Sequence, residues 1–151
     1  MVIAAQRITI ANHTIPLPAS RQEIESVLGA PTRVNEFPGG TNRVLVWDPL
    51  GLVVYQSYAT GKIFELCFYF QPKPARAFSP RKLSGPLSLG TTRIDARSTL
   101  DAVGRQILHQ GGQHVRRFPD GVWTLRYGRF DVSFEQLDST AIENVSVGVH
   151  P

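Results

Sequence analysis

The sequence is poor in the residues that build disulfides, metal sites and membrane spans. It contains one cysteine, Cys67, which excludes an intramolecular disulfide framework and a cysteine-rich zinc site. Cys67 lies in an apolar run, Ile63 to Phe70, which favours a buried structural thiol. No segment reaches the roughly 20 apolar residues of a membrane span. Because the N-terminus also lacks a charged leader and a signal-length apolar stretch, we expect a cytoplasmic protein without membrane segments.

Motifs that would indicate catalysis are also missing. The four histidines are scattered and form no H-x-x-x-H or H-E-x-x-H pattern. No G-x-S-x-G turn occurs, and the glycine pairs at 39–40 and 111–112 lack the strand-before, helix-after context of a phosphate loop. Asp48 and Asp131 could in principle form an acid–base pair, but a turn-initiating role explains Asp48 without catalysis. We therefore expect no enzymatic activity, no metal ion and no cofactor.

The charge is modest and evenly spread. Lys and Arg number 16 against 12 Asp and Glu, which gives a net charge of +4 and a pI near 9.6. Nucleic-acid-binding proteins usually concentrate such charge on one surface. A basic sheet surface of Arg116, Arg117, Arg126 and Arg129 beside Tyr127 is conceivable, but stacking aromatics are expected on the core face instead. Nucleic-acid binding is therefore disfavoured, and the net charge favours a partner with an acidic surface.

Two hairpin patterns stand out against this background. The first spans residues 43–56 and turns at Asp48-Pro49-Leu50-Gly51, where proline pre-sets φ at the second turn position. The second spans residues 122–134, and again a tryptophan strand leads into a glycine-bearing turn. Trp47 and Trp123 are 123 − 47 = 76 residues apart, about half the chain. This spacing predicts one β-rich unit that occurs twice.

The other elements support the same division. Ser20 to Glu23 has the S-x-x-E pattern of a helix capping box, and Ser98 to Asp101 resembles it in the second half. The predicted fold is α+β: a tandem repeat of a helix packed on an antiparallel sheet, in the order ββ-α-ββββ twice. The units are residues 1–70 and 83–151, joined by a proline-rich linker at residues 71–82 and fused into one compact domain.

The two predicted sheets differ in their faces. In the second unit, polar residues such as Thr124, Arg126 and Asp131 alternate with apolar ones, so one face of the sheet is expected to be polar and exposed to solvent. In the first unit, Val44 and Val46 point away from Leu45 and Trp47, so both faces are apolar. An apolar face must be covered. Either the linker and the second unit cover it, or another protein does.

Several motifs carry a resemblance to known families. Leu28-Gly29-Ala30-Pro31 matches an L-G-x-P motif that ends a helix before an antiparallel sheet. The same motif occurs in the β-lactamase inhibitor protein and the small outer-membrane assembly lipoproteins, and the tandem helix-plus-sheet architecture predicted here resembles theirs. The chain is more similar to a bacterial family of small soluble proteins with a W-D-x-L-G core, matched by the following residues: Ile8, Ile10, Asn12, Ile15, Pro18, Leu28, Gly29, Pro31, Val46, Trp47, Asp48, Leu50, Gly51, Leu52, Tyr55, Phe78, Ser79, Pro80 and Gly85. Members of that family tend to occur beside secreted toxins, including those of type VI secretion, so the resemblance implies an immunity role. It implies no active-site residues.

The functional hypothesis is a non-catalytic protein-binding module, an immunity protein that neutralises a cognate toxin by direct binding. The expected contact region is the polar sheet face, with the following residues: Arg116, Arg117, Arg126, Arg129 and Asp131. The alternative is a structural or assembly module that acts as a homo-oligomer, for which a homodimer is possible. In that case the copies would meet through the sheet of the first unit, which is apolar on both faces.

Overall fold

The computed structural model describes residues 1–4, 7–10, 13–72, 78–79, 81–83, 85–117, 122–136 and 141–149. The elements before residue 72 are β1 (Val2–Ala4), β2 (Arg7–Ile10), β3 (His13–Ile15), β4 (Ala19–Ser20), α1 (Arg21–Leu28), β5 (Arg33–Glu36), β6 (Asn42–Trp47), a 3₁₀ turn (Asp48–Leu50), β7 (Leu52–Ser57) and β8 (Lys62–Tyr69). Those after residue 85 are β9 (Leu87–Leu89), β10 (Thr92–Ile94), α2 (Leu100–His109), β11 (Gln113–Arg117), β12 (Val122–Tyr127), β13 (Phe130–Glu135) and β14 (Asn144–Val149). The fold class is therefore α+β, as the sequence predicts.

These strands form two sheets. The smaller sheet has the order β10-β9-β1-β2-β3, and its β1–β9 pair is parallel. The larger sheet has the order β11-β12-β13-β14-β8-β7-β6-β5, with antiparallel neighbours throughout, and β4 adds to it by pairing with β8. The sequence analysis did not predict β1, because Val2–Ala4 is too short to show an alternating pattern.

Both helices begin where hydroxyl side chains cap them. In α1, the Ser20 hydroxyl accepts from the Glu23 backbone N–H at 3.2 Å, and the Glu23 carboxylate accepts from the Ser20 N–H at 2.7 Å. This confirms the predicted capping box. In α2 the cap is Thr99, one residue later than the predicted box starts, and its hydroxyl accepts from the Ala102 N–H at 3.4 Å. Ser98 instead accepts a hydrogen bond from the Asp95 N–H.

The two tryptophans do not occupy equivalent positions in their hairpins. Trp47 is the last residue of β6 and pairs with Leu52 beside the turn. Trp123 is the second residue of β12 and pairs with Phe134 at the far end of its hairpin. The helix caps are 99 − 20 = 79 residues apart. The 76-residue tryptophan spacing therefore does not relate equivalent positions of the two hairpins.

The main core lies between the two sheets. It contains buried side chains from both, including the following: Ile3, Ile8, Leu87 and Leu89 from the smaller sheet, and Leu45, Leu66, Val132 and Phe134 from the larger one. Ile24 of α1 and Ile107 of α2 are buried in the same core. This placement leaves the opposite side of the larger sheet, called here the outer face, as the side that faces away from the main core.

A second, smaller apolar cluster covers part of the outer face. It consists of Val44, Val46, Val53, Cys67 and Tyr69, with Phe37, Tyr55 and Phe78 packed against it. Phe78 comes from the predicted linker, and its ring meets that of Tyr69 edge-on at 5.6 Å. Val46 and Val53 have no exposed surface. The apolar outer side of β6 to β8 is thus buried within the chain, by residues that include Phe78 of the predicted linker.

Candidate functional site

The outer face changes from polar to apolar along the direction that crosses the strands. One transverse row of paired residues runs Thr124, Ser133, Ser146, Cys67, Val53 and Val46. The next row runs Arg126, Asp131, Gly148, Glu65, Tyr55 and Val44. Directly paired residues project from the same side of an antiparallel sheet. The residues of these rows on β12 to β14 are therefore polar apart from Gly148, and those on β6 to β8 are apolar apart from Glu65 and the Cys67 thiol.

Cross-strand pairs hold the polar half in place. Arg126 Nε lies 3.1 Å from Asp131 Oδ1, and the two side chains are 32% and 28% exposed. The Thr124 and Ser133 hydroxyl oxygens are 2.9 Å apart. These side chains are ordered by their partners and still reach solvent. A partner molecule can therefore contact this surface without first having to immobilise its side chains.

The predicted contact residues are only partly brought together. Arg126 and Asp131 pair on the outer face, as expected. Arg129 does not join them, because it lies in the turn between β12 and β13, donates to the Leu17 carbonyl oxygen and places its guanidinium 5.7 Å from the centre of the Phe130 ring. This corrects the expectation that Arg129 shares the polar face. A backbone carbonyl and an aromatic ring both attract a guanidinium group in this position.

Arg116 and Arg117 belong to β11, where they pair with Thr124 and Trp123. Their side chains lie outside the described residues. Among the described charges of the polar half, Arg126 is matched by Asp131, and Glu65 and Glu135 lie close by on the same face. The described part of the outer face is therefore less basic than the sequence analysis predicts.

Glu65 lies at the boundary between the polar and apolar halves. Burial raises the pKa of its carboxyl, and a hydrogen bond with Ser146 partly offsets this effect. Burial likewise raises the pKa of Tyr55 and of Cys67, each to about 12. The sequence analysis missed Glu65, although it is the charged residue within the apolar run Ile63 to Phe70. A charged residue inside such a run was the signal that could have identified it.

A shallow pocket of about 260 Å³ opens at the apolar end of the second row. The residues that line it are Phe37, Gly40, Thr41, Asn42, Val44 and Tyr55. Tyr55 connects the pocket with the boundary, because it also pairs with Glu65. Going across the strands from β6 to β12, the outer face thus presents first an apolar pocket, then a carboxyl group and then a polar surface.

The W-D-x-L-G residues lie elsewhere and hold loops together. Trp47 Nε1 donates to the Gly29 carbonyl oxygen at 3.0 Å, which joins the end of α1 to β6. Asp48 accepts two hydrogen bonds from Arg33, at 2.9 and 3.1 Å, and Arg33 also donates to the Phe78 carbonyl oxygen. The hydrogen bond with Arg33 is the main reason that the pKa of Asp48 is lowered. Asp48 thus has a structural role in this turn.

The same turn binds the linker. Gly51 has a φ of 63°, and a Cβ built on it would lie 2.5 Å from the Lys82 carbonyl carbon, closer than real Cβ atoms approach. Only glycine therefore allows the backbone at Lys82 and Leu83 to pass so near. Ser79 is fully buried, and its hydroxyl donates to the Arg81 carbonyl oxygen at 3.0 Å.

Within the described ranges, no group of three or more His, Cys, Asp or Glu side chains is arranged to hold a metal ion. Neither α1 nor α2, nor any other helix in the described part of the chain, has the length and apolarity needed to cross a membrane.

Comparison with known proteins identifies the family. Residues 2–102, more than half of the chain, match the family described as Domain of unknown function (DUF7738), and the chain belongs to that family. No curated protein matches the sequence. Among solved structures, the chain is similar to a DUF4309 family protein (YjgB) from Bacillus subtilis subsp. subtilis str. 168. The identity is 16%, the match covers 87% of this chain and 78% of that one, and the TM-score is 0.47.

Proposed function

We propose that this member of the DUF7738 family is a non-catalytic protein-binding module, an immunity protein that neutralises a cognate bacterial toxin by direct binding in the cytoplasm. The observation that carries the proposal is the polar half of the outer face. Its side chains on β12 and β13 are paired across strands and about one third exposed at Arg126 and Asp131. Such a surface is suited to docking.

The physical reason is the entropy of binding. Ordering a flexible side chain at an interface costs roughly 0.5–1.5 kcal/mol. The Arg126–Asp131 and Thr124–Ser133 pairs are already ordered in the free protein, on strands hydrogen-bonded to both neighbours. A toxin that binds here therefore incurs less of this cost than one that binds a loop surface.

Charge affects the encounter with the toxin more than the contact itself. The net charge of +4 favours approach to a toxin with an acidic surface, because long-range fields steer association. At short range, the described face offers Arg126 paired with Asp131, together with uncharged hydroxyl groups. The W-D-x-L-G resemblance to proteins found beside secreted toxins is the second support for an immunity role.

The tandem repeat is part of this proposal. Support comes from element order: when β1 and the two-residue β4 are set aside, β2-β3-α1-β5-β6-β7-β8 is followed by β9-β10-α2-β11-β12-β13-β14. The two four-stranded halves of the larger sheet meet where β8 pairs antiparallel with β14, the arrangement that a two-fold relation between duplicated units requires. Duplication explains how a short unit makes a broad, continuous face.

The test is binding to the product of the gene adjacent to this protein's own. We expect the purified proteins to form a complex at micromolar concentration. Ser133→Arg, which puts a bulky cation into the polar half, should weaken that complex about tenfold or more. Thr14→Arg adds the same charge on the exposed edge strand of the smaller sheet and should leave affinity unchanged.

Circular dichroism of both variants checks that they fold. If the neighbouring product is no toxin, or if no complex forms, the immunity role is wrong. Light scattering of the protein alone provides a separate outcome, because a stable homodimer that ignores the toxin would favour the assembly role instead. Equal loss of affinity in both variants would show that the outer face is not the contact region.

A further inference from the structure

We propose that the second row of the outer face forms a groove that receives a segment of the toxin with an apolar side chain next to a basic one. The groove is defined by Val44, Tyr55, Glu65, Gly148 and Asp131, which are neighbours across five adjacent strands. The inference rests on the proposed function, because it names the partner chemistry that this face recognises.

Gly148 makes the floor of the groove. It lies between Asp131 on β13 and Glu65 on β8, with which it pairs directly. A Cβ built on Gly148 would find a single neighbour within 4 Å, the Phe64 carbonyl oxygen at 3.7 Å. Strand neighbours are about 5 Å apart. The missing side chain therefore leaves a gap about two strand spacings wide between two carboxyl groups.

The chemistry of the gap favours a cation. Asp131 already accepts from Arg126 at 3.1 Å, whereas the hydrogen bond that affects Glu65 comes from the uncharged Ser146. Glu65 is mostly buried, and burial disfavours its charged form. A guanidinium or ammonium group placed above Gly148 would offset that penalty by bonding Glu65. A purely basic protein face would instead repel such a guanidinium or ammonium group.

The apolar side chain has its own place on the far side of Glu65, two strands from Gly148. Tyr55 pairs with Glu65 and also lines the pocket of about 260 Å³ beside Phe37 and Val44. Pockets of this kind, lined by aromatic and aliphatic residues, hold the anchor side chains that dominate protein interfaces. An apolar anchor in the pocket would therefore place a neighbouring basic residue near Gly148.

The test uses two short probes, N-acetyl-Phe-Arg-amide and N-acetyl-Phe-Glu-amide, titrated into the isotopically labelled protein while backbone amide shifts are recorded. We expect saturable shifts at Tyr55, Glu65 and Gly148 with the arginine probe, and at least about fivefold weaker binding of the glutamate probe. Glu65→Gln should abolish this selectivity. Equal binding of both probes, or no shifts at these residues, would overturn the inference.

Gly148→Leu provides the matched blocking variant. The φ of Gly148 lies outside the left-handed region, so a side chain is tolerated by the backbone and fills the gap. We expect it to remove binding of the arginine probe, whereas Thr14→Leu on the smaller sheet should have no effect. If Gly148→Leu binds the probe as the unmodified protein does, the groove is not the site.

The toxin experiment separates the two proposals. If the arginine probe binds in the groove but the neighbouring gene product does not bind the protein, the proposed function is wrong and the groove remains. If that product binds the protein and Gly148→Leu binds it equally well, the groove is wrong and the proposed function remains. A loss of toxin affinity in Gly148→Leu but not in Thr14→Leu supports both.

Discussion

Replacing Gly51 by alanine tests whether the turn after Trp47 requires glycine because of close backbone contact. The φ of Gly51 is 63°, and an alanine in the left-handed region costs roughly 1–2 kcal/mol. The new Cβ would also lie 2.5 Å from the Lys82 carbonyl carbon and 2.9 Å from Leu83 Cα, besides contacting Leu83 N. These are backbone atoms and cannot rotate away. Overpacking of this kind costs roughly 1–3 kcal/mol more.

Gly61→Ala is the matched control. Gly61 has a φ of 66°, and a Cβ there would have nothing within 4 Å. Both variants thus carry the same conformational penalty and the same change in the unfolded chain, and they differ in the contact alone. We expect Gly61→Ala to lower the free energy of unfolding by about 1 kcal/mol and Gly51→Ala by about 3 kcal/mol.

Urea denaturation followed by tryptophan fluorescence measures both values, provided that the m-value stays constant. A difference between the variants below about 0.5 kcal/mol would refute the proposed contact between the turn and the linker, because that is less than the smallest usual overpacking cost. A large loss in both variants would show that the left-handed conformation, and not Leu83, accounts for the effect.

Two further predictions concern the same region. Asp48→Asn should lower the free energy of unfolding by about 2 kcal/mol at neutral pH, because Arg33 loses a charged hydrogen-bond partner. The folded pKa of Asp48 lies below its ordinary value of 3.8. The stability that its carboxylate adds is therefore present above pH 3.8 and is lost as the pH falls through the folded pKa. If Asp48→Asn remained less stable than the unmodified protein by the same amount in strong acid, this account would be contradicted. Phe78→Ala should lower the free energy of unfolding by less than the roughly 3–5 kcal/mol that is typical of a fully buried phenylalanine, because Phe78 is only half-buried. The change should also uncover the cluster around Val53 and Tyr69, which increased binding of a hydrophobic dye and self-association would reveal. Unchanged dye binding would show that other residues cover the cluster.

The candidate site was only partly predictable from sequence. Alternation in the strand around Arg126 and Asp131 predicted their shared polar face, because side chains point to opposite sides at every second residue. Arg129 fits the same alternation in the sequence. It lies in a turn, however, where strand geometry no longer determines the direction of the side chain. Glu65 and Gly148 come from the two halves of the chain, and only the β8–β14 pairing makes them neighbours.

The sequence by itself determined the local structure of this protein. The capping box at Ser20 and the alternation in β12 and β13 depend on residues a few positions apart, so short-range hydrogen bonds and side-chain direction suffice. Only the tertiary structure decided that Phe78 covers the outer apolar cluster and that β8 pairs with β14. Such contacts join residues far apart in the chain, and many alternative pairings satisfy the same local patterns. Packing of the whole molecule selects among those pairings.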